Sequence, residues 1–556
     1  MSRKVFISVL GTGNYKECIY CDDKVSFKSS GTRFIQKATL EYINAKQWSR
    51  NDTAIILLTK EARQKNWEDT DGKDGLFSEL QRLNLPFRDN IVDLDIPEGR
   101  NEKEIWTIFS SIYENLSEGD ELYFDLTHGF RYLPMLVLVL GNYSGFLKGT
   151  VINHISYGNW ESHNSENEAP LVNLIPLSEL QDWTFAAGKF IECGNADDIK
   201  GLTEKTLKSI LKDPNTRTKS AESLRGSIGA LSDFVSAIET CRGKSIIDAP
   251  KLNEFRNKLA EVKENTIEPL SPILSKVQDS LKDFNPGSID NVFAATSWCL
   301  SKGMYQAATT ILEEGFVTLI CSTESIDIMD EEKRELINEA INIKFKGLTE
   351  DKWRAKEFNK VAMIKHLLNN PLIKEKDFCN KVTDFEGLRN DFNHSGMRKK
   401  KAPLDPDKII KKIKDAIEFA KKLKDKKSST STEPFTKLFI NLSNHPSKYW
   451  SEKQISAAKE FGEIYDMEFP EIDPNMSNGK IDKKVDEYYH KILERANDCI
   501  TTVHLMGEMT FSYKLTKRLI DCGIRVVAST TQRVSEDGKD GTTISKFEFV
   551  NFRDYQ

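Results

Sequence analysis

Arg389 and His394 have four residues between them, in Leu388-Arg389-Asn390-Asp391-Phe392-Asn393-His394. These residue types can cut RNA without a metal. The 2′-OH must lose a proton, the pentavalent phosphorane needs positive charge beside it, and the departing 5′-oxygen must gain a proton. Histidine moves protons near neutral pH. Arginine brings a permanent charge and a donor fork matched to phosphoryl oxygens. Asn390 is placed to orient the phosphate or the histidine. The spacing alone also fits a helix-surface arginine and a histidine in an ordinary packing role. The surroundings favour chemistry: the pair closes a helix in an all-helical stretch, and Arg398-Lys399-Lys400-Lys401 follows. Such a basic run can hold an RNA backbone, or simply be solvated.

Two further sets stand at the ends of strand-like runs near the N-terminus. Gly11-Thr12-Gly13-Asn14 follows the first apolar run. A loop of this kind lets backbone N–H groups approach a phosphate or nucleobase closely. It lacks the full GxGxxG and the P-loop lysine, so it supports neither a dinucleotide site nor an NTPase. Asp125-Leu126-Thr127-His128-Gly129-Phe130-Arg131 clusters a carboxylate, a hydroxyl, an imidazole, a glycine and a guanidinium. It reads either as a hydrolytic site or as a polar turn capping a helix.

A third set lies near the C-terminus: Asn441-Leu442-Ser443-Asn444-His445, Gly507-Glu508-Met509-Thr510 and Ser529-Thr530-Thr531. Each follows or ends a strand-like run. Glu508 and Thr510 open a predicted helix, where the dipole favours phosphate. Ser443, Asn444 and His445 can bind phosphate or position a 2′-OH, and Trp450 can stack on adenine. These residues otherwise simply cap helices.

The elements that must carry these groups follow from periodicity. Strand patterns at Lys4–Leu10, Thr53–Leu58, Asn90–Leu94, Glu121–Leu126 and Gly149–Tyr157 alternate with helical ones at Thr32–Tyr42, Glu104–Leu116 and Tyr132–Gly145. That alternation predicts a doubly wound, largely parallel sheet, with ligands bound beyond the carboxyl ends of its strands. From about Leu177 to Lys427 helical periods dominate, including Leu224–Ile238, Asp290–Cys299, Tyr305–Ile320, Glu331–Ile343 and Asp407–Leu423. Lys421–Pro434 has no apolar period and reads as a linker. Alternation then resumes, with strands at Thr436–Leu442, Glu463–Phe469, Thr501–Met506, Ile524–Ser529 and Ser545–Phe552 and helices at Ser451–Phe461, Lys483–Ala496 and Thr510–Cys522. The predicted organisation is therefore 1–180 α/β, 181–285 helical connector, 286–425 helical bundle, 426–434 linker and 435–556 a smaller α/β unit. The fold class is multidomain α/β plus all-α, with Rossmann-like units at both ends.

A chain of 556 residues exceeds one ordinary core. Its net charge of -6 excludes a wholly basic nucleic-acid-coating surface, so any such site must be a local patch. The N-terminal apolar run ends in glycines and lacks a cleavage site, so it reads as a strand rather than a secretory signal. No apolar run is long enough to span a membrane. Cys18 and Cys21 form a CxxC with no second pair at zinc-ribbon spacing, and the nine cysteines read as reduced cytoplasmic thiols.

The residues Arg389-Asn390-Asp391-Phe392-Asn393-His394 resemble the R-x4-6-H signature of HEPN ribonucleases. That resemblance implies a homodimer in which two Arg/His pairs form one composite site, and metal-independent cleavage leaving a 2′,3′-cyclic phosphate. The LGTGNY and DLTHGFR stretches resemble the CRISPR-associated DxTHG-motif proteins, whose N-terminal domain is a CARF domain. The resemblance covers about the first 160 residues. It implies a domain that dimerises and binds a cyclic oligoadenylate made by a type III CRISPR complex, with cyclic tetra-adenylate the first choice and cyclic hexa-adenylate the second. Gly11, Thr12, Gly13, Asn14, Asp125, Thr127, His128, Gly129 and Arg131 are then ligand-binding candidates, with Thr32 and Gln36 at the next helix start weaker ones. The C-terminal unit looks like the small ring-nuclease modules that accompany such effectors. Asn441, Ser443, Asn444, His445, Trp450, Gly507, Glu508, Met509, Thr510, Thr530 and Thr531 are its candidate residues.

The expected function is a ring-activated, metal-independent nuclease acting on single-stranded RNA, with no DNA or membrane partner, which limits itself by degrading its activator. The alternatives are a ligand-responsive regulator whose C-terminal domain is a non-catalytic accessory, and a free-standing HEPN toxin.

Overall fold

Every residue of Thr53–Leu58 is buried, as are the last six of Lys4–Leu10. Runs of this kind, covered on both faces, belong to the middle of a parallel sheet. The computed structural model describes residues 2–70, 72–212, 217–262, 270–397, 404–426, 436–537 and 543–555, and only the backbone at 209, 424–426, 535–537 and 543–546. The basic run Arg398-Lys399-Lys400-Lys401 and most of the predicted linker lie outside the described residues.

The first unit, residues 1–188 with Ile267–Leu274, is built on an eight-stranded sheet. Its strands are β1 (Lys4–Leu10), β2 (Ile19–Asp22), β3 (Phe27–Lys28), β4 (Thr53–Leu58), β5 (Ile91–Asp95), β6 (Glu121–Asp125), β7 (Val151–Gly158) and β8 (Glu168–Asn173). The order is β3-β2-β8-β7-β6-β1-β4-β5. From β7 to β5 all neighbours are parallel, as expected. The sheet continues past β7 through antiparallel β8. Strands β2, β3 and β8 have no counterpart among the predicted elements. Two to six residues at a sheet edge hold too little alternation to be read from one sequence.

Within the parallel part of the sheet, β4 and β5 lie on one side of β1, and the later strands β6 and β7 lie on its other side; β2 and β3, which precede β4 in the chain, sit at the far edge beyond β8. The direction of winding therefore reverses between β1 and β6, which opens a crevice at their carboxyl ends. The helices Glu102–Glu114 and Leu133–Lys148 pack on one face through Ile108, Ile112, Leu136 and Leu140. Phe34 and Leu40 pack on the other. The helix Ile175–Cys193 runs unbroken across position 180, where the sequence pattern suggests a boundary.

The second unit comprises residues 189–266 and 275–556. Its helices include Lys219–Glu239, Asn291–Ser301, Tyr305–Thr323, Glu331–Lys346, Phe358–Leu367, Lys376–Asn393 and Pro406–Lys426. Phe316 of the Tyr305–Thr323 helix meets Phe378 and Phe385 edge-on, fixing the Lys376–Asn393 helix against it. A five-stranded sheet closes the chain: β9 (Lys437–Ser443), β10 (Glu463–Glu468), β11 (Ile500–Met506), β12 (Arg525–Asp537) and β13 (Thr543–Asp554). The order β10-β9-β11-β12-β13 is parallel except for β13, and it reverses between β9 and β11. Strands β12 and β13 extend past the predicted Ile524–Ser529 and Ser545–Phe552 as a long antiparallel pair.

This sheet docks on the helices through Asn359. Its amide donates to the Thr501 carbonyl at 3.0 Å and accepts from the Thr501 N–H at 2.8 Å. Phe358 N–H donates to the Cys522 carbonyl at 2.7 Å. Among the described residues no helix is long and apolar enough to cross a membrane.

Candidate functional site

The crevice between β1 and β6 brings the two N-terminal loops together. Ser8 and Asp125 are partners across the strands, and Ser8 Oγ donates to Asp125 Oδ2 at 2.7 Å. The other carboxylate oxygen accepts from Thr127 N–H at 3.1 Å and Thr127 Oγ1 at 2.6 Å. Thr127 Oγ1 in turn accepts from Gly158 N–H at 2.8 Å, tying the turn to the end of β7. Asp125 and Thr127 therefore build the turn, a side-chain-to-backbone closure typical of Asp after a strand. Gly129 packs against the buried Leu133 side chain, which would have to shift for a Cβ there, 2.1 Å from Leu133 Cδ2.

His128 stacks on Tyr15 with ring centroids 4.3 Å apart, so the turn and the glycine loop share a wall. Burial lowers the His128 pKa, which keeps the ring neutral. Burial likewise pushes the Tyr15 hydroxyl up to about 12. Asn66 Nδ2 donates to the carbonyls of Gly11 and Gly13, at 2.9 and 3.0 Å, and so fixes the loop. Thr12, Gly13, Asn14 and Arg131 are exposed on this rim. Gln36 is fully buried and donates to Ser8 Oγ and the Val9 carbonyl, both at 3.1 Å. Thr32 is buried and accepts from Phe34 N–H at 3.0 Å. Gln36 therefore lies beneath the end of β1, and neither residue is exposed on the rim. Tyr15 and Asn66 are absent from the sequence candidates. A tyrosine directly after the glycine loop was the only signal, and Asn66 had none.

In the helical region Arg389 lies on the Lys376–Asn393 helix and His394 is its exposed C-cap. Five helical positions turn by roughly 140°, so the pair does not share one face. Asn390 is half-buried beside Arg389, and its carbonyl accepts from the His394 N–H at 3.2 Å. Arg389 reaches the Tyr305–Thr323 helix, with Nε 3.1 Å from Glu313 Oε2 and a guanidinium nitrogen 3.7 Å from Glu314 Oε1. The Glu313 contact is an ion pair without hydrogen-bond geometry. Burial raises the Glu313 pKa to about 7 against the opposing pull of Arg389. The two glutamates line a cavity of about 650 Å³ that Arg389 also faces. Neither was picked out in the sequence, where helix Glu-Glu pairs are unremarkable surface features.

In the second sheet, Asn441, Ser443, His445 and Trp450 gather around His504, which is not among the sequence candidates. Its Nδ1 is 2.8 Å from Asn441 Oδ1 and its Nε2 is 2.9 Å from Ser529 Oγ. Asn441 Nδ2 donates to Asp466 Oδ1 at 2.7 Å and to the His445 carbonyl at 3.0 Å. Ser443 Oγ donates to Asn441 Oδ1 at 2.8 Å, and Trp450 Nε1 to the His445 carbonyl at 3.0 Å. Burial opposes ionisation of Asp466, but hydrogen bonds from Asn441 and Ser447 outweigh it and hold the carboxyl below its usual range.

Asn444 and Glu508 line a separate cavity with Phe469 and Asp473. The Glu508 carboxylate accepts from Thr510 and Phe511 N–H at 3.0 and 2.7 Å, so the expected phosphate seat at this helix end is filled by the chain itself. Gly507 is pressed against Phe469, where a Cβ would come within 2.2 Å of the ring. Met509 is exposed on the same helix. Thr530 is bonded to Asn551 at an irregularity of the β12–β13 pairing, and Thr531 follows on the exposed strand. No cluster able to hold a metal occurs among the described residues.

Burial lowers the His504 pKa to about 4. In the unfolded chain a histidine titrates near 6.5. Protonation therefore draws the chain toward unfolding as pH falls from about 6.5 to about 4, by about 3 kcal/mol in all. Above 6.5 the contribution is fully present. Urea melts of His504→Gln are expected to show a flatter loss of stability across that window. An unchanged slope would contradict the burial of a neutral imidazole.

Residues 5–149 match the family model of the CARF domain of CRISPR system endoribonuclease Csx1. Residues 437–553 match the model described as the uncharacterized protein MJ1673 family. CRISPR-associated protein MJ1674 of Methanocaldococcus jannaschii is 31% identical over 118 residues, 21% of this chain and 19% of that protein. The match thus spans about a fifth of the length of that relative. Enterococcus italicus Csm6 bound to cyclic hexa-2′-fluoro-hexa-dAMP aligns over 76% of this chain and 94% of its own, at 12% identity and a TM-score of 0.35. The N-terminal α/β domain is therefore similar to a CARF domain of CRISPR-associated proteins.

Proposed function

We infer that this chain is a cyclic-oligoadenylate-activated endoribonuclease of type III CRISPR defence. The observation that carries the reading is the β1–β6 crevice, in a domain similar to CARF, with an exposed glycine loop on one side and Arg131 on the other. A ring of adenylates is polyanionic and presents flat bases. Exposed backbone around Thr12–Asn14 and the Arg131 guanidinium suit its phosphates.

Arg389 and His394 then perform the cleavage. His394 transfers the proton, and Arg389 meets the charge on the phosphorane. Their different helix faces favour a composite site, with the arginine of one copy facing the histidine of another in a homodimer. The substrate is single-stranded RNA and the chemistry requires no metal. The C-terminal sheet removes the activator and so ends the response. A ligand that prefers the active arrangement by about 3–4 kcal/mol raises a minor active state several hundred-fold.

Binding tests the sensing half. Titration calorimetry with cyclic tetra-adenylate and cyclic hexa-adenylate is expected to give saturable binding to one of them. Arg131→Ala should weaken it about 10- to 100-fold, the loss of one charge-assisted phosphate contact. Equal affinity in the variant would remove Arg131 from the ring site, and no binding of either ring would sink the sensing role.

A further inference from the structure

Four polar side chains cross the second sheet in one hydrogen-bonded line. Asp466, Asn441 and His504 occupy the same lateral row of β10, β9 and β11, and Ser529 stands two residues beyond the row on β12. Asn441 and His504 are almost wholly enclosed, at 1% and 2% exposure, whereas Ser529 is half-buried. The row straddles the β9–β11 reversal two residues short of the carboxyl ends of β9, β10 and β11, beyond which ligands of such sheets bind.

The line dictates its own proton positions. The Asp466 carboxylate only accepts, so Asn441 must turn its NH₂ toward it and its oxygen toward His504. That oxygen only accepts, so the His504 proton is on Nδ1. Nε2 is left with its lone pair facing the Ser529 hydroxyl. A hydroxyl bonded to a bare imidazole nitrogen, with the imidazole oriented by a third polar group, is the arrangement that activates a nucleophile. Gln454 Nε2, 3.4 Å from Ser529 Oγ, adds a neutral donor beside the attacking oxygen.

We propose that Ser529 is a nucleophile of the C-terminal domain, with His504 its base and Asn441 and Asp466 positioning residues, and that it cleaves a ribonucleotide phosphodiester. The substrate class rests on the reading that this domain removes the activator. Ser529 Oγ attacks phosphorus and its proton passes to His504 Nε2. The P–O5′ bond breaks, and the departing oxygen takes that proton. Water then attacks the phosphoserine, giving its proton to Nε2. Ser529 Oγ departs and regains a proton from His504, releasing a 3′-phosphate. Attack by the ring's own 2′-OH would instead leave a 2′,3′-cyclic phosphate.

The test is to treat the folded full-length protein with a fluorophosphonate and map the adduct by mass spectrometry. In that reaction the Oγ–P bond forms, fluoride leaves and His504 takes the proton. An adduct on Ser529 is expected, formed about 10²-fold more slowly in His504→Gln, together with loss of ring cleavage after labelling. Wild-type protein alone decides the first point should that variant fail to fold. An unlabelled Ser529 overturns the nucleophile assignment even if the ring is degraded. A labelled Ser529 with cyclic tetra-adenylate and cyclic hexa-adenylate both stable overturns the phosphodiester assignment and the activator-removal reading, while the nucleophile stands.

Discussion

Replacing Arg389 or His394 by alanine is expected to lower ring-stimulated RNA cleavage about 10²- to 10⁴-fold, the range for losing a positioned proton donor or a fixed charge at the transition state. Folding should survive both changes. His394 is an exposed C-cap, so its ring contributes little to the core. Removing Arg389 deprives buried Glu313 of its cation, but a carboxyl already raised to about 7 can take up a proton instead of remaining as an isolated buried charge. Arg389→Lys sharpens the test. It keeps the charge and loses the donor fork, so an arginine clamping the phosphorane predicts that lysine rescues only part of the rate. Cleavage time courses with matched thermal melts would check this. A rate within about threefold of wild type in either alanine variant would be too small for the expected role.

Asp125→Ala should weaken binding of the activator about a hundredfold while leaving the helical domain folded. The carboxylate holds Ser8, the Thr127 N–H and the Thr127 hydroxyl at once, and it is 1% exposed. Its loss leaves three donors unpaired at the base of the turn, with Thr127 the link to β7. A buried unpaired group costs about 1–3 kcal/mol. A total near 3 kcal/mol is about a hundredfold in affinity if the turn is reordered only on binding. Ring titrations of the variant check this, and unaltered affinity would mean the turn is not part of the binding surface.

The parallel strands β1 and β4 are legible because strands buried almost throughout are nearly unbroken apolar runs, and β6 because its buried Leu122 and Phe124 alternate with half-buried positions. The Gly11 loop and the Asp125–Arg131 turn could be recognised because each follows such a run directly. Their meeting through Tyr15 and His128 could not, because it depends on which strands are neighbours. The place of Thr32 and Gln36 near a helix start suggests ligand contact in the sequence, yet the fold buries both. In the second sheet all five strands were readable, but register was not. His504 alternates with Val503 and Leu505 and so reads as the non-core face of a half-buried strand. Only its pairing with Asn441, and with Val527 two residues before Ser529, exposes the line of hydrogen bonds. The helix start at Glu508 promised an anion seat by its dipole, and the same glutamate fills it.

The measurement closest to the central claim is metal-free cleavage of a labelled single-stranded RNA, with chelator present, with and without cyclic tetra-adenylate or cyclic hexa-adenylate. The expected result is cleavage only with a ring, 2′,3′-cyclic phosphate ends, and none of it in Arg389→Ala or His394→Ala. Intact RNA with both rings, or cleavage indifferent to those two substitutions, would contradict the account.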